Sequence, residues 1–195
     1  MTTIPSEYLA ILEHHGRPGF APGEIVQFRG AAQTRKAMPP RRLWSRIGPT
    51  LDAANLLRTR MVAHGASGLI LRAAYRPRGG APNSAHKSNA AVDLDLMARD
   101  VARFHELGFD LRAIYAEEAV RLWCEHGAAM HIGLGLYGPA GRDWTWRVHL
   151  DTVRCRTWQH AGARLVRPAA ATRIAARLGL GLPTLAAHDS LDEDT

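Results

Sequence analysis

The chain has 195 residues, 46% hydrophobic and 22% charged, which suits one folded domain with a sizeable core and excludes a disordered or low-complexity chain. No apolar run approaches the about 20 residues that a membrane-spanning helix needs. The net charge of +7 comes almost wholly from arginine, Lys36 and Lys87 being the only lysines, and the arginines are scattered, so the charge reads as compositional rather than as a nucleic-acid footprint.

The opening MTTIPSEYLAILEHHG lacks the basic start and apolar core of a secretory signal. The expectation is a cytoplasmic protein, or one exported without a cleaved signal, as a phage lysin or a secretion-system effector is. Residues 5 to 15 read as a short helix begun by Pro and Ser, and 16 to 38 as a connection punctuated by Gly and Pro. From 40 to 47 and from 51 to 64 apolar residues recur at helical spacing: Leu43 and Ile47, then Leu51, Ala54, Leu57 and Met61. Gly48 and Pro49 are expected to break these two helices apart. Gly65 and Gly68 end the second, and GLILRAAY follows as a strand with Leu69, Leu71 and Ala73 on one face.

The next stretch, YRPRGGAPNSAHKSN, has a Gly, Pro, Asn and Ser content that predicts no regular structure, and a long loop inside a compact domain is more often functional than accidental. Alternation resumes in AAVDLDLM, with Val92, Leu94 and Leu96 facing one way and Ala91, Asp93 and Asp95 the other. Residues 98 to 107 and 110 to 126 read as two helices divided by Gly108, the second ended by Gly127. MHIGLGLYG reads as a strand, GPAGRD as a hairpin-type turn and WTWRVHLD as the returning strand, which sets Arg147, His149 and Asp151 on one face. Beyond it, ARLVRPAAATRIAARLGL favours a helix or two, and 181 to 195 decays into an acidic tail expected to be disordered. Two cysteines, Cys124 and Cys155, do not make a disulfide framework and read as reduced structural thiols. The expected organisation is one α+β domain over 1 to 180, with N-terminal helices over 1 to 64, a core over 65 to 160, and a small antiparallel sheet backed by helices.

If the strands of Asp93 and His149 are neighbours in an antiparallel sheet, and the loop holding His86 folds over the same face, two imidazoles and a carboxylate converge. Such a set suits Zn²⁺ with a fourth place for water, whose acidified form is poised for amide hydrolysis. The residues around these three carry a resemblance. Ser84-Ala85-His86-Lys87-Ser88-Asn89-Ala90-Ala91-Val92-Asp93 resembles the S-x-H-x-x-G-x-A-x-D signature of the zinc D-alanyl-D-alanine carboxypeptidases and their murein endopeptidase relatives. Tyr75-Arg76 is similar to the Y-R of that family, and Val148 to Trp158 is similar to its V-H-V-D-T-G-x-V-R-x-W ending. The three matches stand in order across 72 to 158.

The resemblance implies a small antiparallel sheet backed by helices, His86, Asp93 and His149 as zinc ligands, Arg76 as a catalytic and substrate-binding group for a carboxylate or carbonyl, and Ser84 steadying the loop or touching substrate. It also implies a metallopeptidase, murein endopeptidase or carboxypeptidase, acting on peptidoglycan or muropeptides as a monomer, without nucleic acid or a membrane span. Two positions depart from the pattern. Asn89 replaces the family's Gly, and Asn is the residue most willing after Gly to take a positive φ. Trp146 and Arg147 stand where many members place a Glu or His as general base. Asp151, on the face of His149, is then the first candidate for base or for orienting that imidazole, with Asp95 and His131 behind it. Asp95 and Asp151 beside Arg147 also read as a salt-bridge network on the sheet face. Two alternatives follow: a zinc-loaded but inert peptidoglycan-binding module, and a basic nucleic-acid-binding protein.

Overall fold

A computed structural model describes residues 4–26, 38–78, 81–161, 164–166 and 170–184. Its strands are β1 Leu69–Ala73, β2 Ala91–Leu96, β3 Gly133–Tyr137, β4 Arg147–Asp151, β5 Arg156–Ala161 and β6 Arg164–Val166. They form one sheet in the order β1-β2-β4-β3-β5-β6, antiparallel at every pairing except β3 with β5. The helices are α1 Ser6–Gly16, α2 Pro22–Ile25, α3 Gly48–Ala63, α4 Ala98–Glu106, α5 Leu111–Met130 and α6 Ala170–Arg177. This is the α+β arrangement expected, a small, mostly antiparallel sheet packed against helices. Among the described residues no helix is long and apolar enough to cross a membrane.

Alternation along the strands decides what each face of the sheet does. Val92, Leu94 and Leu96 of β2, Leu134 and Leu136 of β3, and Val148 and Leu150 of β4 are buried in one core. The same core holds Leu51, Leu57 and Met61 of α3 and Tyr115, Ala119 and Leu122 of α5. Each such side chain contributes about 1.5–3 kcal/mol on burial, and a one-residue slip of β2 or β4 would turn carboxylates and imidazole into that core. The apolar face therefore fixes the polar one. Across the β2–β4 ladder Asp93 stands opposite His149 and Asp95 opposite Arg147, and on the other side of β4 Gly135 faces His149 and Tyr137 faces Arg147.

Four expectations need correction. Gly48 and Pro49 do not separate two α-helices; residues Arg41–Ile47 form a 3₁₀ helix, and Gly48 and Pro49 open α3, where proline's missing N–H costs nothing. Helix α5 runs through Gly127 to Met130, because His131 takes the left-handed cap with φ of 53°. Gly127 is there for space: a Cβ would lie 3.0 Å from Trp123 and 3.2 Å from Cys155. The Ala-rich stretch after 163 is only partly helical, since 164–166 pairs with the end of β5 as β6 and the helix α6 begins at Ala170; edge pairing overrides local propensity there. The long loop also carries regular structure, one 3₁₀ turn at Ala85–Ser88. Residues 27–37 of the Gly/Pro connection and 185–195 of the acidic tail lie outside the described residues, and α2 lies within that connection.

Candidate metal centre

The 3₁₀ turn that presents His86 is held at both ends. The Arg76 N–H donates to the His86 carbonyl at 3.1 Å, and Asn89 closes the turn with φ 57° and ψ 37°. That left-handed conformation is the one for which Asn is the best substitute for Gly. The Asn89 side-chain amide then donates to the Leu43 carbonyl at 2.9 Å and to the Tyr8 hydroxyl at 3.3 Å. Through these bonds the N-terminal helices position the ligand loop. Ser84 precedes the turn, and its carbonyl accepts the Lys87 N–H at 2.9 Å.

On the sheet, the opposition of Asp93 and His149 completes the constellation. Asp93 Oδ1 lies 2.9 Å from His149 Nδ1 and 3.3 Å from His86 Nε2. The two imidazole centroids are 4.9 Å apart with planes at 79°. One ligand atom from each of the three residues lies within 4.8 Å of the others, and all three side chains are buried.

The far nitrogen of each imidazole has its own acceptor. His86 Nδ1 is 2.5 Å from the Ala74 carbonyl oxygen, so the proton sits on Nδ1 and the Nε2 lone pair faces the cluster. His149 Nε2 lies 3.4 Å from Asp151 Oδ2, an ion-pair distance, so that Asp151 can hold the ring proton on Nε2 when an ion takes the Nδ1 lone pair. Metal-binding imidazoles are oriented in this way, the free N–H tied to a carbonyl or carboxylate. Two nitrogens and one carboxylate oxygen are a donor set that can hold a divalent ion such as zinc.

The electrostatics follow from burial and mutual contact. Burial alone would raise the Asp93 carboxyl, but the close contacts with His149 and His86 hold it well below the usual carboxylate range. Burial pushes the His86 imidazole down, against the pull of Asp93. For His149 burial also pushes down, but Asp151 and Asp93 on either side win, and the imidazole is raised. Asp151 is completely buried, yet the His149 contact and the charge of Arg156 keep its carboxyl low. Its Oδ1 accepts the Val153 N–H at 3.1 Å and its Oδ2 accepts from Arg156 Nη2 at 3.0 Å.

Arg76 reaches the rim of the cluster, with Nη2 3.9 Å from Asp93 Oδ2 and a buried Nε that has no acceptor among the described residues. Asp95 is in an ion-pair network, as one reading of the sequence had it: Arg147 Nε and Nη2 lie 2.6 and 3.0 Å from its oxygens, and Arg72 Nε lies 2.7 Å away. His131 is exposed and caps α5, outside the three-residue cluster. Cys124 and Cys155 are free thiols.

Sequence reasoning passed over Tyr137 and the use made of Trp158. The Trp158 indole lies over β3 with its centroid 5.1 Å from that of His149. It can do so because Gly135 has no side chain; a Cβ there would come 2.7 Å from the indole, and one on Gly133 would come 2.5 Å from Asp151. The signal was present in MHIGLGLYG, since glycine inside a strand marks a close approach. Tyr137 shares the face of His149 and is electrostatically coupled to Asp93, Arg76 and Arg147; burial, then Asp93, raises its hydroxyl.

Compared with protein-family models, curated proteins and solved structures, the chain matches none. The geometry thus stands by itself: a buried His86/Asp93/His149 cluster near the polar face of a small sheet, capable of coordinating a metal ion and consistent with a metalloenzyme in general.

Proposed function

We propose that the chain is a zinc-dependent peptidase that hydrolyses an amide bond in peptidoglycan stem or cross-link peptides, as a murein endopeptidase or a D,D-carboxypeptidase does. The observation that carries the reading is the convergence of His86 Nε2, Asp93 Oδ1 and His149 Nδ1, each imidazole with its far nitrogen on an acceptor. Those three residues are also the ones on which the resemblance to zinc carboxypeptidases falls. Zinc bound there would polarise a substrate carbonyl and acidify a water.

The chain's own residues supply the rest. Asp151 holds the Nε2 proton of His149 and so keeps Nδ1 available; fully buried and engaged by Arg156 and Val153, it acts as a positioning residue. Arg76, whose Nη2 stands 3.9 Å from Asp93 Oδ2 and whose side chain is 28% exposed, anchors a substrate carboxylate or carbonyl through its planar fork. Ser84 fixes the start of the turn that carries His86. Trp158 covers His149 and keeps bulk water from that side of the cluster.

One observation favours a second reading, an inert zinc-loaded wall-binding module: Trp146 is 41% exposed and Arg147 is paired with Asp95, so neither position offers a proton acceptor. The two readings separate on incubation of zinc-loaded protein with purified muropeptides. Hydrolysis produces new amino and carboxyl termini, detected by mass spectrometry, which vanish in His86→Ala. Wild-type protein that binds muropeptides and releases nothing from any of them overturns the peptidase reading.

A further inference from the structure

The sheet face beside the cluster carries more positive charge than its carboxylates balance. Asp95 is a single carboxylate shared by two guanidinium groups, Arg147 and Arg72, while Asp93, beside Arg76, is already taken by two imidazoles. The Asp95 side chain is 12% exposed, whereas the Arg147 and Arg72 side chains are 33% and 41% exposed. The carboxylate is thus the buried hub and the two guanidinium groups face outward from it. Arg147 spends Nε and Nη2 on Asp95, and Arg72 spends only Nε. Among the described residues the remaining Nη1 of Arg147 and both terminal nitrogens of Arg72 have no acceptor.

The placement of this pair is set by the ladder. Asp95 follows Asp93 by two residues on β2, Arg147 precedes His149 by two on β4, and the two positions are paired to each other. At roughly 3.3 Å per residue the pair lies about 7 Å along the sheet from the ligands, a separation that an extended peptide covers in about two residues.

Resting on the peptidase reading above, we propose that Arg147 and Arg72, braced by Asp95, form an anchor for a substrate carboxylate about two residues from the amide held at the cluster. Arg147 is then a specificity-determining residue. Guanidinium groups pre-set by a buried carboxylate keep their fork geometry and lose little freedom on meeting a second carboxylate. A peptide whose acidic group is amidated offers the anchor a neutral group and binds less tightly.

The test measures binding, not turnover, by calorimetry in two backgrounds that cannot hydrolyse: His86→Ala and metal-free wild type. The probes are a synthetic L-alanyl-γ-D-glutamyl-meso-diaminopimelyl-D-alanine peptide as the free acid, and the same peptide amidated singly at the glutamate or at the diaminopimelate side-chain carboxylate. One of the two amidations is expected to weaken binding about tenfold or more, the range of a charge-assisted hydrogen bond. That preference disappears when Arg147→Gln is added, shrinks in Arg72→Gln, and is partly restored by Arg147→Lys. A merely structural bridge would lower the melting temperature in these variants and leave the acid-to-amide ratio unchanged, which overturns the anchor. Equal affinity for all three peptides overturns it too, while leaving the peptidase reading intact. Failure to bind any of them overturns the anchor, and the peptidase reading falls only when zinc-loaded wild type also releases nothing from muropeptides; a clear preference without any cleavage by the zinc-loaded wild type overturns the peptidase reading alone.

Discussion

Replacement of Asp151 by asparagine tests the orienting bond at constant size. The carboxylate is fully buried, accepts from the Val153 N–H and from Arg156 Nη2, and stands 3.4 Å from His149 Nε2. Asparagine keeps one oxygen, which stays on Val153. Its NH₂ then meets two donors, Arg156 and His149. The conflict with Arg156 is relieved by water, because that side chain is 32% exposed and already lies over the Trp158 ring. The conflict with His149 is relieved only by moving the imidazole proton to Nδ1, so that Nε2 can accept, and the cluster loses one of its two nitrogen lone pairs. Loss of an orienting partner of this kind weakens metal binding by about 10- to 100-fold, equivalent to about 1.4–2.7 kcal/mol. The metal-free protein loses about 1–3 kcal/mol from the poorly satisfied donors, or a few degrees of melting temperature for a chain of this size. Zinc competition against a chromophoric chelator at neutral pH reads the first effect, and a melt in chelator reads the second. If the Asn variant binds zinc as tightly as wild type, Asp151 does not set the tautomer and the orienting argument fails.

Removal of any one ligand, by His86→Ala, Asp93→Asn or His149→Ala, is expected to abolish stoichiometric zinc retention on gel filtration, whereas His131→Ala retains one ion per chain as wild type does. Metal affinity should fall as pH falls. His149 holds its proton to higher pH than an ordinary imidazole, so below neutrality an ion must displace that proton, at about tenfold in affinity per pH unit for one proton; His86, pushed down by burial, adds no such cost. Titrations at stepped pH check the slope, and a flat profile through that range refutes it. Gly135→Ala places a Cβ 2.7 Å from the Trp158 indole and forces the ring off His149; the expected cost is about 1–3 kcal/mol in stability, with a change in tryptophan emission that a remote glycine such as Gly181 does not produce. Asn89→Gly keeps the left-handed backbone and loses the bonds to Leu43 and Tyr8, while Asn89→Ala loses both, adding about 1–2 kcal/mol of backbone strain. Zinc affinity should therefore drop in both, further in the Ala variant, and an Ala variant no weaker than the Gly variant would show that φ at Asn89 is unimportant.

What could be read from the sequence was what has a period. Alternation in AAVDLDLM and WRVHLD is enforced by the apolar partners on the other face, so both strands and their polar sides were legible, whereas their pairing, and with it the convergence of Asp93 and His149, entered as a supposition that the ladder bears out. Positive φ at Asn89 was legible only through the resemblance, where Asn stands at the pattern's Gly. The strands after Cys155 were not legible. β6 is three residues long and gains its structure only from pairing with β5, a contact between segments with no alternating signature of their own. The end of α5 was misread because Gly127 announces a helix stop locally but is required by the packing of Trp123 and Cys155 around it. The sharing of Asp95 by Arg147 and Arg72 was half legible: the sequence paired Asp95 with its cross-strand neighbour and could not see the arginine that a bulge in β1 delivers.

The same reasoning explains why a polar cluster this deep is tolerated. Three side chains that would each cost several kcal/mol if buried alone sit on the sheet face that the core does not use, and the loop that supplies His86 also roofs them. That roof is short, and it is pinned by Asn89 to helix α1 and the 3₁₀ helix, elements distant in sequence from every ligand. Burial depresses His86 and its carboxylate neighbours raise His149, so the two imidazoles take up protons unequally. A cluster held only for stability would be served by one histidine and one carboxylate. Two imidazoles whose outer nitrogens separately face Ala74 and Asp151, both aimed inward, make sense for a centre that holds a cation.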